Sequence, residues 1–577
     1  MTPELAYITA AVVALALCLP RLVRRLQLSK AKHPSLGGHA RISRRLARQL
    51  PNVVYDDEKA LSADGAPADI VERRRSAFEA LTTELSKKAP ITTSLSASVE
   101  SSISDMQFTN AYRVPFQFRS LVQKNLRVGA FADATDGVKV RNLDGSWAYD
   151  LGGSYGVNLL GYDFYKQCID KGADRVRELG PMLGPYHPVI AENVSLLCEI
   201  SGQDEVSFHM SGTEAVMQAV RLARYHTGRS QLVMSTGAYH GWWDGVQPGI
   251  GNRRPPNDIY MLKDMSEDTL RVLRTRKDIA CVLINPLQAL HPNSSASSDA
   301  TLLNSERKAC FDRDAYGEWL RQVRDACTAN GIVLIFDEVF VGFRLGLGGA
   351  QEYFGVRADM VTYGKTLGGG LPVGAVCGNA ALMKRYKEDR PTDVCFARGT
   401  FNSHPYVMAS MNEFLRHVTS DAGRTTGCEI DATWDARAEE LNRRLEEHDL
   451  PVRVNNMTSI WMLTYTLPSR YNWMLQFYLR AEGLSLSWVG TGRFIFSHNY
   501  TDDDIRDVGN RLIAAAKRMR DDGWWWQSET LTNKTIKREV LREFLTARLG
   551  RGGGAGSSEP ARPPSVLPAP SRDAHGS

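Results

Sequence analysis

The chain predicts an α/β protein, a mainly parallel sheet covered by helices, on three observations. Short β-branched runs alternate with longer amphipathic stretches from about residue 112 to residue 520. Ile332 to Phe336 is apolar at every position, as in a strand buried on both faces. Five runs end in polar residues at the strand ends where parallel sheets bind ligands, four of them in glycine, hydroxyl or charged residues and Cys281 to Ile284 in Asn285. With 577 residues, 43% apolar and 23% charged, the chain is long enough for a sizeable core and is neither disordered nor collagen-like.

The first element is an apolar run from Leu5 to Leu19, without charge and without a strong helix breaker before Pro20. Glu4 precedes it and arginines follow, the reverse of a secretory signal, so residues 1–25 are expected to be a retained single-pass membrane anchor. A helix lying in the interface or docked on the core is the competing reading. Residues 1–50 carry nine Arg and Lys against one acid, a local balance of +8 in a chain of net charge +5. The remaining 527 residues therefore sum to −3, which argues against a nucleic-acid-binding body. By the positive-inside rule the basic flank places the amino terminus outside and the catalytic body in the cytoplasm.

Residues 26–111 read as a basic juxtamembrane arm, a helical stalk and a linker. Val71, Phe78, Leu81 and Leu85 have helical spacing between Ile70 and Lys88, and Thr92 to Ser104 is Ser/Thr-rich. Residues 112–520 hold the α/β body. In 521–550 three adjacent tryptophans, Trp524 to Trp526, precede an amphipathic helix bearing Ile536, Val540, Leu541, Phe544, Leu545 and Leu549. Such tryptophans suit a membrane interface or the packing of a terminal helix on the domain. The Gly/Pro/Ser-dominated residues 551–577 are expected to be disordered. Nine scattered cysteines without a CxxC pair indicate neither a disulfide scaffold nor a zinc site, so no metal is expected.

The strand ends carry the chemistry. Val206 to Met210 runs into Ser211-Gly212-Thr213 and then a helix, so backbone N–H groups, a hydroxyl and the positive end of the helix dipole form an anion site suited to phosphate. Gln231 to Ser235 leads to Tyr239-His240-Gly241, where Tyr239 is either a ring that stacks on a planar cofactor or an ordinary loop aromatic. Ile332 to Phe336 stops at Asp337, a carboxylate that needs an ion-pair partner, a cap or a protonated pyridine nitrogen. Asp359 to Tyr363 ends in Gly364-Lys365, a lysine enclosed by small residues and placed to form a Schiff base. Phosphate cup, stacking ring, nitrogen partner and Schiff-base lysine together suit pyridoxal 5′-phosphate.

Residues 211–241, 334–344, 361–378 and 399–409 resemble the class III, fold-type I aminotransferases, in particular the glutamate-1-semialdehyde aminomutase branch and transaminase modules of polyketide and peptide synthetases. The resemblance implies a large domain at about 180–410, a smaller α+β domain from both chain ends, and a homodimer with active sites at the interface. It also implies roles by position: Lys365 carries the cofactor and catalyses, Asp337 pairs with the pyridine nitrogen, Val339 and Tyr239 cover the two ring faces, and Gly212 and Thr213 bind phosphate. Thr400 is expected to reach the neighbouring subunit's phosphate, and Ser154, Tyr155 and Gln288 to face the substrate.

Two departures accompany the likeness. Asn285-Pro286-Leu287-Gln288 stands where many relatives have Glu-Pro, and Phe340 replaces the glutamine of the ornithine and 4-aminobutyrate branches. The expected reaction is transfer of an amino group from a small-molecule amino-acid donor to a keto or aldehyde group of a biosynthetic intermediate, hydrophobic or carrier-bound. A 2,1-aminomutase using the same residues is the alternative, and a membrane scaffold with an inactive transaminase fold is a third reading.

Overall fold

Seven strands form the central sheet of the computed structural model. The structure describes residues 3–550 except 35, 255–256, 294–304, 307–308, 425–426 and 488–491; side chains at 3–15, 17, 36 and 550 are likewise left out. The strands, numbered within this sheet, are β1 (Glu205–His209), β2 (Gln231–Ser235), β3 (Ile259–Leu262), β4 (Ile279–Ile284), β5 (Val333–Asp337), β6 (Met360–Gly364) and β7 (Gly374–Gly378). Their spatial order is β1-β7-β6-β5-β4-β2-β3. Only β7 runs antiparallel to its neighbours. β4, β5, β6 and β7 are buried at every position, because helices cover both faces.

The covering helices begin and end where side chains dictate. Ser211 accepts from Glu214 N at the start of helix Gly212–Thr227, and Gly228 closes it at φ 65°. Asp312 likewise caps helix Arg313–Asn330, which stops at Gly331 with φ 58°. Every strand run named from the sequence falls on a strand of this sheet with ends shifted by at most two residues; β3 and β7 are additional.

A second apolar core draws on both ends of the chain, from Tyr55 to Leu151 and from Ile430 to Trp525. It carries a three-stranded antiparallel sheet (Val452–Met457, Ile460–Tyr465, Arg493–Ile495) and a small sheet in which Leu484–Ser485 runs parallel to Trp147–Asp150. At its centre Arg74 makes two bonds to Asp64, at 2.7 and 2.8 Å, and donates to the carbonyls of Leu61 and Gly523. Its guanidinium lies 4.5 Å from the Tyr471 ring centroid. One side chain thus ties three distant segments together.

Several expectations about the chain ends are corrected. The backbone is helical from Pro3 to Ala31, but among the described residues no helix is long and apolar enough to cross a membrane. Most of the Leu5–Leu19 run falls on side chains outside the described residues. The far end of this helix is docked: Ala31 is fully buried and its carbonyl accepts from Lys263 N. The anchor and the orientation derived from it are therefore unsupported. The basic arm lies on the body as well, with Arg41 bonded to Asn257 and Arg44 to the carbonyls of Asn252 and Arg254.

The expected stalk is helix Ala68–Lys88, whose Phe78 and Leu81 enter the second core, and most of the expected linker is helix Pro90–Glu100. Trp524 and Trp525 are 1% and 5% exposed and bond Tyr478 and Asn472, so they are core residues. Helix Asn533–Gly550 packs through Ile536 and through Phe544, which stacks on Phe116 at 5.7 Å. Leu541, Leu545 and Leu549 are exposed. Residues 551–577 lie outside the described residues.

Removing Arg74 leaves Asp64 buried without its counter-charge. Arg74→Met is expected to destabilise the chain by about 3–5 kcal/mol in chemical denaturation, whereas replacing both partners by apolar residues costs less.

Candidate functional site

The parallel pairing of β5 with β6 sets the register of the site, with Asp337 opposite Thr362. Asp337, 4% exposed, lies with its Oδ2 2.7 Å from His240 Nδ1. Its Oδ1 accepts from Val339 N at 3.2 Å and from Thr362 Oγ1 at 3.3 Å. Three partners therefore orient the carboxylate, while His240 Nε2 is buried without one among the described residues.

One residue beyond β6, Lys365 takes a left-handed φ of 50°, which turns it out of the strand direction. Its Nζ lies 4.4 Å from the Phe340 ring centroid. Burial pushes the amine down from 10.5 to about 8; Asp337 opposes that shift, and the charges of Arg344 and Arg493 reinforce it. An amine with that value has roughly a fifth of its population neutral and nucleophilic near physiological pH, far more than an ordinary lysine.

The turn after β1 comes up against this pair. A Cβ at Gly212 would sit 2.5 Å from Val339 Cγ1, and one at Gly364 would lie 3.2 Å from the same atom. Only glycine lets the phosphate-cup turn, Val339 and the lysine turn approach this closely. Because Ser211 and Glu214 close the helix start by bonding Glu214 N and Met210 N, the first amides, at Gly212 and Thr213, have no intrahelical acceptor. Thr213 also abuts the Tyr239 loop: a Cβ at Gly241 would fall 2.4 Å from its Oγ1. Asn285 Nδ2 donates to the carbonyl of Tyr239, whose ring is 60% exposed.

The Ser154–Tyr155 turn covers the lysine from the second core. Ser154 and Tyr155 have φ of 44° and 57°, and a Cβ on Gly156 would meet Phe340 at 2.7 Å and Lys365 Cδ at 3.5 Å. Ser154 Oγ lies 2.9 Å from Tyr162 OH, which donates to Asp150. Gln288 is buried, donates to the Thr236 carbonyl at 3.4 Å, and has no partner for its Oε1 among the described residues. Its neighbour His291 meets Arg493 at 2.8 Å.

The sequence-predicted residues Gly212, Thr213, Asp337, Val339, Lys365, Ser154 and Tyr155 thus lie on turns that abut one another. Tyr239 sits on the adjoining loop, and Thr400 is exposed. Three neighbours were missed. His240 stood in the Tyr239-His240-Gly241 motif without a role, and its adjacency to Tyr239 was the available signal. Thr362 faces Asp337 only through strand register, and Arg493 comes from a strand of the second core, so no spacing in the sequence points to either.

The model of the class-III aminotransferases matches residues 122–247 and 312–515. The chain belongs to this family. Its cofactor is pyridoxal 5′-phosphate. Glutamate-1-semialdehyde 2,1-aminomutases of Nitratidesulfovibrio vulgaris and Methanocaldococcus jannaschii are both 30% identical; they match over 66% and 56% of this chain and 90% and 74% of their own. Among solved structures, a glutamate-1-semialdehyde aminomutase from Pseudomonas aeruginosa shares the fold at TM-score 0.61 and 16% identity, over 78% of this chain and 99% of its own. A β-phenylalanine aminotransferase from Variovorax paradoxus does so at TM-score 0.60 and 21% identity, over 78% and 98%. Class-III aminotransferase chemistry is therefore placed on the fold-type I scaffold.

Two outcomes follow from the geometry. In cofactor-free protein, modification of Lys365 by an amine reagent should rise through about pH 8, where an ordinary lysine titrates near 10.5; peptide mass spectrometry across pH reads it. Gly212→Ala forces Val339 aside and should weaken cofactor binding at least tenfold, as equilibrium dialysis would show.

Proposed function

We propose that the chain is an aminotransferase that moves an amino group from an amino-acid donor to a keto or aldehyde carbon of a biosynthetic intermediate. The observation that carries this reading is the buried lysine amine, lowered to about 8, one residue beyond the strand beside the one that ends in a triply held carboxylate. That arrangement fits pyridoxal 5′-phosphate: an aldehyde for Lys365, a ring nitrogen for Asp337, and a phosphate for the amides of Gly212 and Thr213. When bound, the cofactor supplies an electron sink for negative charge at the substrate carbon.

Lys365 Nζ then removes the proton from the carbon that bears nitrogen and returns one, which its lowered basicity suits. Asp337, fixed by Thr362, Val339 N and His240, would keep a proton on the ring nitrogen of the bound cofactor. Val339 limits one ring face, and the exposed Tyr239 is free to close on the other. Ser154, Tyr155 and Gln288 form the substrate side. Thr400 serves the neighbouring subunit of a homodimer, in keeping with its exposure in the single chain. Trp524 and Trp525, which at a membrane interface would have favoured a hydrophobic acceptor, are in the core and give that acceptor no support.

The 30% identity to glutamate-1-semialdehyde aminomutases favours a second reading, a 2,1-aminomutase acting without an external donor. Incubation with glutamate or alanine separates the two. Transfer predicts stoichiometric release of the keto acid and an absorbance change of the bound cofactor; rearrangement of an amino-carbonyl compound with no donor consumed identifies the aminomutase. Lys365→Ala should remain folded and lose at least about a thousandfold in turnover. Unchanged turnover in that variant would falsify the assignment.

A further inference from the structure

The class-III model matches residues 122–247 and 312–515, so the helices Ala40–Ala47 and Asn533–Gly550 are additions to the family fold. Each presents an apolar stripe to solvent. Ile42 and Leu46 lie one turn apart on the first helix, and Leu50 prolongs the line, its amide donating to the Leu46 carbonyl at 3.0 Å. Leu541, Leu545 and Leu549 recur one turn apart on the second. All six are between 39% and 79% exposed. The inward side of the second helix is already occupied: Phe544 stacks on Phe116, and Glu543 pairs with Arg470 at 3.2 Å and accepts from Tyr55 OH. The two stripes end beside each other, where Arg548 donates to Gln49 Oε1 at 3.4 Å.

Positive charge accompanies the leucines. Residues 40–50 hold four arginines and no acid. Arg41 and Arg44 are engaged on the body, whereas Arg45 and Arg48 are exposed and their side chains have no hydrogen-bond or ion-pair partner among the described residues. The second helix carries five basic residues against Glu539 and the inward Glu543. Its Arg538 and Arg542, each three residues before a leucine of the stripe, are as exposed and as free of partners among the described residues as Arg45 and Arg48. Folded chains rarely leave aligned apolar side chains in water without an occupant for them. Leucines interleaved with guanidinium groups match the boundary between lipid headgroups and acyl chains, where the apolar groups enter hydrocarbon and the cations meet phosphate. A second copy of the chain would instead set the arginines of the two stripes against one another, which like charge opposes.

We propose that these two helices form a docking face for an anionic lipid surface, on which the protein lies peripherally with its leucine stripes at the acyl boundary and its free arginines on the headgroups. Such a face lies in the plane of the interface and requires no segment that crosses the bilayer. None of its residues belongs to the catalytic site, so the proposal stands apart from the aminotransferase reading.

Vesicle flotation of the full-length holoprotein tests it. Vesicles of phosphatidylcholine with about one third phosphatidylglycerol should bind at least about tenfold more tightly than phosphatidylcholine alone, and added salt should weaken that binding. Two double variants leave the helix Pro3–Ala31 untouched: Arg45→Glu with Arg48→Glu, and Leu541→Gln with Leu545→Gln. Each should keep the wild-type melting temperature, because the four side chains face solvent, and each should lose at least about tenfold in partition onto the anionic vesicles. If one variant does not keep that melting temperature, the other decides alone. No partition of the wild type, equal partition onto the uncharged vesicles, or unchanged partition of a folded variant would overturn the proposal. So would equally tight binding of soluble polyglutamate, which identifies an acidic polypeptide as the occupant, or a dimer in sedimentation velocity that the variants abolish without any change on vesicles, which identifies a second copy.

Discussion

Everything at the centre of this molecule depends on the pairing of two buried parallel strands, Val333–Asp337 and Met360–Gly364. Asp337 stands opposite Thr362, and Lys365 begins one residue past its strand, so sheet register rather than local loop structure sets the distance between carboxylate and amine. A one-residue slip would turn Asp337 to the opposite face of the sheet and separate the pair. The apolar run that makes the first strand wholly buried also makes the register costly to change, because every position is packed from both sides.

Burial at that edge does two opposed things. It lowers the basicity of Lys365, favouring a neutral nucleophile, and it raises the cost of leaving Asp337 without donors, which Thr362, Val339 N and His240 then supply. Glu338, the next residue, shows how strong burial is there: although the Ala350 and Gln351 amides donate to it, burial pushes it up to about 8 and so it stays protonated at neutral pH.

The second core is the other half of the site. Its two chain ends are locked by Arg74, Asp64, Tyr471 and the Gly523 carbonyl, and it presents the left-handed Ser154–Tyr155 turn to Lys365. Strain at those two residues is sustained because Gly153 and Gly156 leave no room for any other path: a Cβ on either would collide with Ile495 or Phe340.

Much of this was legible in the sequence. Strand runs of five or six apolar residues, the glycine turn at Gly212, the isolated acid at Asp337 and the enclosed lysine at Lys365 are local patterns, and local patterns report backbone state and burial directly. The reading of residues 1–111 was less successful, because an apolar helix, a charged helix and a Ser/Thr-rich stretch have the same composition whether they extend away from a body or fold back on it. Whether Trp524 and Trp525 face lipid or core, whether Ala31 docks on Lys263, and that His240 holds Asp337 are matters of long-range contact. The sequence by itself determined the chemistry of the strand ends, since each residue type and its place after a buried run follow from hydrophobic periodicity alone. Only the tertiary structure decided what surrounds them, since Asp337 meets His240 and Gly212 meets Val339 only once residues some 100 positions apart or more share one interior.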